Sequence, residues 1–529
     1  MGNNSANTGR IAKNTILLYI RMFFLMAVSL YTSRVILRTL GVNDFGLYNA
    51  VAGFVSMFAF IGNSLTSATQ RYMSFSLGKD DPKGLANIFA TSINIYAILS
   101  IAVAIFAETV GLWFLYNKMT IPADRFGAAL WVYHLAIVST MVMMLSIPYN
   151  AVLISREKMG AFAYISILEA VLKLAIVFVL QIPGTDKLKL YAVLMLAVQI
   201  CIRMIYRRYC RKHFDEARYR PVLDKPLLRE MCGFAGWNLI GQLANVGCTQ
   251  GVNVLLNMFF GPAVNAARGV AVQVQNTIRN FCLNFQAAVN PQITKSYSSG
   301  DYSYMHQLIS ASSRFSFFLL FLISLPVMFE TEQLLTWWLG EFPEHTVSFT
   351  RIILVVSIIE GMANPLVQAA LSYGKIRTYQ IVVGLSLLAT LPAGYFALKA
   401  GASPETVFYV LLVITVITFF IRLVIVKPMV NLSIRKFFSE VIIPVTVTTC
   451  VSIVPPALAY TYMGGHPVWR FFVVGTLCAV SVCGFSFLIC TSRGEKAFII
   501  SRIQKFAGKA LKKIQKFLSK MFGFEQQML

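Results

Sequence analysis

The sequence predicts an all-α, polytopic membrane protein of about fourteen transmembrane helices, with two six-helix lobes around a central cavity and two extra C-terminal helices. Three observations predict it. Apolar runs long enough to cross a bilayer recur along the whole chain, lysine and arginine crowd into alternate connections, and a short pattern returns about 220 residues later.

A membrane-crossing helix needs about 20 mostly apolar residues. Such runs fall at 11–37, 45–68, 88–115, 128–153, 160–182, 189–206, 231–258, 265–290, 308–329, 350–372, 378–398, 405–426, 438–462 and 468–490. They are continuous rather than alternating, which excludes transmembrane strands. The first run is too long for the apolar segment of a signal peptide, about 7–15 residues, and reads as an uncleaved first span. With 57% apolar and 13% charged residues the chain departs from soluble proteins, where about a quarter of residues are charged. The nine cysteines are scattered, mostly within apolar runs, without a metal-ligand spacing, and only five histidines are present, so no metal or other cofactor is predicted.

Charge sets the orientation. With the N-terminus inside, 30 Lys and Arg fall in inner segments, eight of them in 207–229 and nine after 490, against about eight in outer ones. The positive-inside bias places both termini in the cytoplasm. The formal net charge of +24 is then mostly topological and does not imply nucleic acid as a partner. The domains expected are an N-lobe (1–206), a basic cytoplasmic loop (207–230), a C-lobe (231–430), a final helix pair (431–490) and a cytoplasmic tail (491–529). In that tail Ile499, Ile503, Phe506, Ala510, Ile514, Phe517 and Met521 share one helical face and lysines fill the other. Such a helix is expected to lie in the headgroup layer among the membrane lipids.

The returning pattern pairs "LGVNDFGLYNAVAG" (40–53) with "FGPAVNAARGVAVQ" (260–273). It also pairs "SATQRYMSFSLGKDD" (67–81) with "VNPQITKSYSSGDYS" (289–303), with Gln70/Gln292, Ser74/Ser296, Ser76/Ser298 and Gly78/Gly300 in register. Six spans separate the copies, an even number, so the two units run parallel, as in transporters that rock two halves about a midplane site.

At 100° per residue the first two spans of each unit carry polar stripes. The first aligns Asn14, Arg21, Ser29 and Thr32, and the second Asn49, Ser56, Asn63, Ser67 and Arg71. The seventh aligns Asn238, Gln242, Asn245, Thr249 and Asn253, and the eighth Gln273, Asn276, Arg279, Asn280 and Asn290. Polar stripes also glue membrane helices together, but four on symmetry-matched spans fit a shared wet cavity. An arginine at mid-bilayer costs about 2.5–3.5 kcal/mol on insertion scales and normally faces something polar. Arg34, near its span's outer end, either lines the cavity or snorkels to headgroups. Of the few acidic residues within spans, Glu169 and Glu360 are the candidates for H+ or Na+ coupling. Glu169 has Lys173 one turn on, and Glu360 precedes Pro365, whose kink frees a backbone carbonyl. A neutral-to-cationic lining suits a hydroxylated ligand carrying phosphate, which arginine holds by bidentate bonds.

The segments "LYIRM", "LYTSRVIL", "LGVNDFGLYN" and "ATQRYMSF" in the first 80 residues resemble the start of oligosaccharide flippases, the Wzx-type exporters of O-antigen and capsule units within the multidrug/oligosaccharidyl-lipid/polysaccharide exporter superfamily. The likeness extends more loosely to about residue 430. It implies two lobes opening alternately to either side of a bacterial inner membrane. It implies undecaprenyl-pyrophosphate-linked oligosaccharide as cargo, and a polysaccharide polymerase and chain-length regulator as partners. By motif position it carries basic cavity residues onto Arg21, Arg34 and Arg71, and by analogy onto Arg268 and Arg279. The chain then performs no covalent chemistry and is not an enzyme; it carries no GxxxxGK[ST] run. Two other readings stay open: a cation-coupled multidrug antiporter of the same superfamily, which would want cavity carboxylates, and a membrane polysaccharide polymerase or ligase, which would want a large outer loop.

Overall fold

The computed structural model describes residues 2–56, 59–117, 121, 123–181, 186–222, 224–463, 467–491 and 495–496. All but two residues of the amphipathic segment after 494 fall outside this set. Secondary structure among the described residues is helical. One helix, Gly2–Ser56, breaks at Gly41; its arms are α1 (2–40) and α2, which resumes as Ala59–Gly78. There follow α3 (Pro82–Asn117), α4 (Ala123–Ser155), α5 (Met159–Val179), α6 (Lys187–His213), α7 (Lys225–Phe260) and α8 (Pro262–Ser298). The order ends with α9 (Tyr302–Phe329), α10 (Thr346–Tyr373), α11 (Arg377–Lys399), α12 (Glu405–Val430), α13 (Ile434–Tyr462) and α14 (Val468–Cys490).

Among the described residues eleven helices are long and apolar enough to cross a membrane, and the chain is a multi-pass membrane protein. The three missing from that set are α2, α7 and α8, which all carry predicted polar stripes. A helix that shields one face from lipid tolerates polar residues there, which lowers its mean apolarity without shortening it. These helices also outrun their apolar segments. α6 continues to His213 and α7 starts at Lys225, so the expected 207–230 loop shrinks to 214–224.

The chain divides into two compact units, one comprising Met1–Leu320 and Leu335–Ile434, the other Phe321–Leu334 and Arg435–Leu529. In the second, Arg470 grips Glu330 through two bonds of 2.8 and 2.9 Å, and Ser452 and Ser481 each donate to the other's carbonyl between α13 and α14.

The first unit holds both repeats, and its backbone fixes their register. Gly41 (φ 79°, ψ 167°) turns the α1–α2 corner and Gly261 (φ 81°, ψ −170°) turns the α7–α8 corner, 220 residues on. Only glycine adopts that conformation without strain. At the opposite end, positive-φ residues Asp80 and Gly300 precede Asp81 and Asp301. Each of these aspartates accepts a hydrogen bond from a backbone N–H three residues later, at Gly84 (2.9 Å) and Tyr304 (3.0 Å). The predicted 222-residue register at Gln70/Gln292, Ser74/Ser296, Ser76/Ser298 and Gly78/Gly300 is therefore corrected by two residues. Gly78 is the counterpart of Ser298, and these two meet face to face. Polar side-chain pairs repeat as well: Arg125, at the start of α4, bonds Asp186, which caps α6 (3.2 Å), and His345, at the start of α10, bonds Glu405 on α12 (2.5 Å).

One end of this unit carries the 78–82, 155–159, 298–302 and 373–377 turns and the 214–224 segment; we call it the basic end. Among the described residues, hydrogen bonds, ion pairs and ring contacts between the lobes gather in that half. Tyr19 donates to the Phe281 carbonyl (3.2 Å) and Phe23 packs edge-on against Phe281 (5.6 Å). Nearer the end, Tyr72 donates to Glu230 (3.0 Å) and lies against Phe234, and Phe75 meets Tyr297.

Candidate functional site

α8 separates its polar residues onto two faces. One is a buried zipper against α10: Gln275 to Ser357 (2.7 Å), Asn364 to Gln286 (3.0 Å), Gln368 to Thr294 (2.9 Å) and Thr294 to Ser372 (2.8 Å). Gln286 also donates to the Gly361 carbonyl (3.1 Å). That carbonyl is the one left free by Pro365 four residues on, so the free acceptor expected beside Glu360 is present and already used.

The other face holds Gln273, Asn276, Thr277 and Asn280, all exposed, with Asn284 half-buried, and the five lie within about 100° of arc. α7 presents Asn245 and Thr249 in the same way, exposed, with Gln242 and Asn253 half-buried on the same stripe. Thr249, Thr277 and Asn284 each donate to a carbonyl one turn back, but a row of amides facing hydrocarbon would leave the remaining donors and acceptors unsatisfied at several kcal/mol each. These faces therefore border water or a polar ligand. Asn245, Asn276 and Asn280 are the predicted asparagines found here. The side chains of Arg34 and Asn63 lie outside the described residues.

The five arginines fare differently. Arg279 stands beside the α8 polar face, its side chain 37% exposed, with Nη1 3.6 Å from the Glu360 carboxylate. Glu360 borders a narrow cleft with Thr415, Thr418 and Arg422, whose Nε is buried without a hydrogen-bond partner. Arg422 was not singled out from the sequence. It sits one turn short of a basic, membrane-flanking segment, where cations are expected and therefore uninformative.

Arg21 turns into the N-lobe. Its guanidinium lies 4.5 Å over the Phe162 ring, interacts electrostatically with Glu169 and Tyr206, and buries Nε without a partner. Glu169 itself bonds Lys173 at 2.6 Å. The Arg279–Glu360–Arg422 cluster and the Arg21–Glu169–Lys173 cluster thus each hold two cations to one carboxylate.

Arg71 and Arg268 do not face a passage here. Arg71 is 7% exposed, stacked against Tyr72, Phe75 and Phe234, with Nη2 donating to the Ser372 carbonyl (3.3 Å). Arg268 is 8% exposed and donates to the Thr249 carbonyl on α7 (2.7 Å). Arginine's five donors suit it to bridging helices through carbonyls as well as to holding anions, and the periodicity of a helix does not distinguish the two.

Sequence reasoning also passed over Glu157. It stands at positive φ (57°) in the α4–α5 turn, its side chain 1% exposed. Its carboxylate receives Arg10 (2.7 Å), Lys295 (2.5 Å) and Gln292 (2.7 Å), and its carbonyl receives Asn14 (3.2 Å). Among the described residues no group of His, Cys, Asp and Glu has the arrangement of a metal site.

No protein-family model matches the chain, and no curated protein does. Solved structures do. A MATE structure in a bent conformation superposes with a TM-score of 0.71 at 12% identity, over 80% of this chain and 96% of that one. The Vibrio cholerae MATE transporter VcmN, as a mutant, gives 0.65 at 15%, over 82% and 98%. A MOP-superfamily transporter from Pyrococcus furiosus, described as having a binding pocket of reverse polarity that suggests a different function, gives 0.63 at 12%, over 80% and 96%. The chain has the fold of these transporters.

Proposed function

We propose that this protein is a flippase that carries a phosphate-bearing, lipid-linked oligosaccharide across the bacterial inner membrane by alternating access, its termini in the cytoplasm. The observation that carries this reading is the exposed amide row of α7 and α8 with Arg279 at its edge. Asn245, Asn276 and Asn280 offer donors and acceptors matched to sugar hydroxyls, and the arginine offers a charge-assisted fork for phosphate. The polyprenyl chain stays in lipid while the headgroup crosses, so no bond is made or broken.

The lobes meet at the basic end, which corresponds to a state closed toward the cytoplasm. An undecaprenyl-pyrophosphate carrier, with a polymerase and chain-length regulator downstream, follows from the sequence likeness. A fold alone does not choose the cargo.

A cation-coupled multidrug antiporter remains the second reading, favoured by Glu360 beside the polar face. Against it, Glu360 is engaged by Arg279 and Glu169 by Lys173, leaving no carboxylate of this set uncompensated to attract an organic cation. The test is gene deletion followed by leaflet-resolved analysis of lipid-linked glycans, with dye efflux measured in parallel. Inner-leaflet accumulation with normal efflux supports the flippase. Normal glycan export with lost efflux overturns it in favour of the antiporter.

A further inference from the structure

The surroundings of Glu157 have the form of an anion site filled by the chain's own carboxylate. Lys295 and Gln292, one turn apart on α8 of the C-lobe, both point at this carboxylate of the N-lobe, at 2.5 and 2.7 Å. Gln292 is 3% exposed. Arg10 closes the third side at 2.7 Å. Nearby Arg156 is occupied by Glu216 at 2.7 Å. The nest thus holds two cations around one carboxylate, before any ligand.

The partition between lobes gives the nest its consequence. Glu157, Arg10 and Asn14 belong to the N-lobe, and Lys295 and Gln292 to the C-lobe. If the lobes part at the basic end, Glu157 leaves with Arg10, and Lys295 with Gln292 loses its only described anionic partner. The Lys295 ammonium, its side chain already 22% exposed, is then free to pair with an anion arriving from the basic side, and the same anion cannot bind while Glu157 is in place.

We propose that Lys295 and Gln292 form an entry site for a phosphate or pyrophosphate headgroup at the basic end, and that Glu157 occupies this site as a stand-in when the lobes close. Headgroup capture and closure are then mutually exclusive. The ligand opens the basic end by binding one state only, and handing the headgroup inward lets Glu157 return and seal behind it. Only the naming of the ligand as phosphate rests on the proposed function; the latch does not.

The experiment uses the full chain in nanodiscs, with nitroxides on a cysteine-depleted background at Lys79→Cys and Ser299→Cys. These exposed positions are repeat counterparts, one on each lobe. Inorganic pyrophosphate is the first probe and polyprenyl pyrophosphate in the disc the second, so that free and lipid-linked anions are told apart. Pyrophosphate at 100 times its Kd is expected to shift the open-to-closed ratio by about 100-fold. Lys295→Gln should abolish the shift. Glu157→Gln should open the basic end without ligand and tighten pyrophosphate binding. As a second measure on the chain with native cysteines, pyrophosphate should raise Tm in wild type and not in Lys295→Gln. An effect of polyprenyl pyrophosphate alone would support a site that reads the lipid-linked form. No response to either probe, an equal response in Lys295→Gln, or a Glu157→Gln variant that stays closed with unchanged affinity would each overturn the proposal. If glycan export proved not to depend on the protein while pyrophosphate still opened it, the proposed function would fall and the entry site would stand.

Discussion

The two lobes clamp one another at the basic end by the same geometry and by unlike chemistry. From the N-lobe, α2 sends Arg71 onto the turn after α10, where it meets the Ser372 carbonyl beside Gly374. From the C-lobe, α8 sends Lys295 and Gln292 onto the turn after α4, where they meet Glu157. Serine opens both turns and the third residue has positive φ in each, Glu157 on one side and Gly374 (φ 93°) on the other. The glycine turn has no side chain to offer, so a carbonyl and three aromatic rings must suffice for Arg71. The glutamate turn offers a full counter-charge. A duplicated fold keeps the positions of its contacts while the contacts themselves diverge: the Arg71 clamp is a packed joint, and the Glu157 clamp is an exchangeable ion pair.

The largest expected effect comes from the glycine at the close approach of α2 to α8. A Cβ at Gly78 would overlap the Ser298 hydroxyl and lie 2.5 Å from the Lys295 carbonyl. Gly78→Leu is therefore expected to prop the lobes apart. Overpacking costs about 1–3 kcal/mol, and the upper end of that range shifts the closed-to-open ratio by about 100-fold. The spin-label distance between positions 79 and 299 should lengthen and transport should fail. Gly374→Ala comes next and strikes one clamp only. Its positive φ and the approach of its Cβ to the Arg71 guanidinium, 2.9 Å from the central carbon, predict a loss of about 1–3 kcal/mol, read as a lower Tm. If Gly374→Ala were silent while Gly78→Leu was severe, the Arg71 joint would not be what holds the lobes together.

The spans were legible in the sequence because lipid demands a continuous apolar run, and a run is a local property. The basic-end turns of α2 and α8 were not. Thr69, Ser74 and Ser76, and likewise Thr294 and Ser296, are buried although each reads as polar. The site divides along the same line. Asn245, Asn276, Asn280 and Arg279 share faces set by helical periodicity, which the sequence displays. Whether an arginine on such a face meets water or a carbonyl depends on the neighbouring helix, and so Arg71 and Arg268 were read as cavity residues although both are buried. Glu157 was invisible for a simpler reason: it lies in a turn, and its main partner is 138 residues away.

The remaining predictions weigh the lobe interiors. Arg279→Gln removes the one described arginine that borders the exposed amide row, and a hydrogen bond to a charged group is worth about 1.5–3 kcal/mol. Transport of a phosphate-bearing cargo should fall by about 10- to 150-fold in kcat/KM, measured with a labelled glycolipid in proteoliposomes, while a neutral-headgroup analogue should be little affected.

The smallest effect belongs to Glu169. Its bond to Lys173 is an i,i+4 pair within α5, of a kind worth about 0.3–0.5 kcal/mol, and its interaction with Arg21 is longer in range, so Glu169→Gln should change transport less than Arg279→Gln does. Glu360→Gln differs because its partner Arg279 is on another helix and at the polar face, and releasing that guanidinium should tighten cargo binding and slow release, lowering KM and kcat together. The pair of variants separates two roles for a carboxylate in this fold. A group that only neutralises its neighbour can be replaced by an amide, with effects confined to that neighbour's ligand. A group that carries the driving proton or sodium ion cannot. If either variant transported normally down a cargo gradient but lost its response to an imposed ion gradient, that glutamate would be the coupling site, and the lobe containing it would be the one that senses the ion.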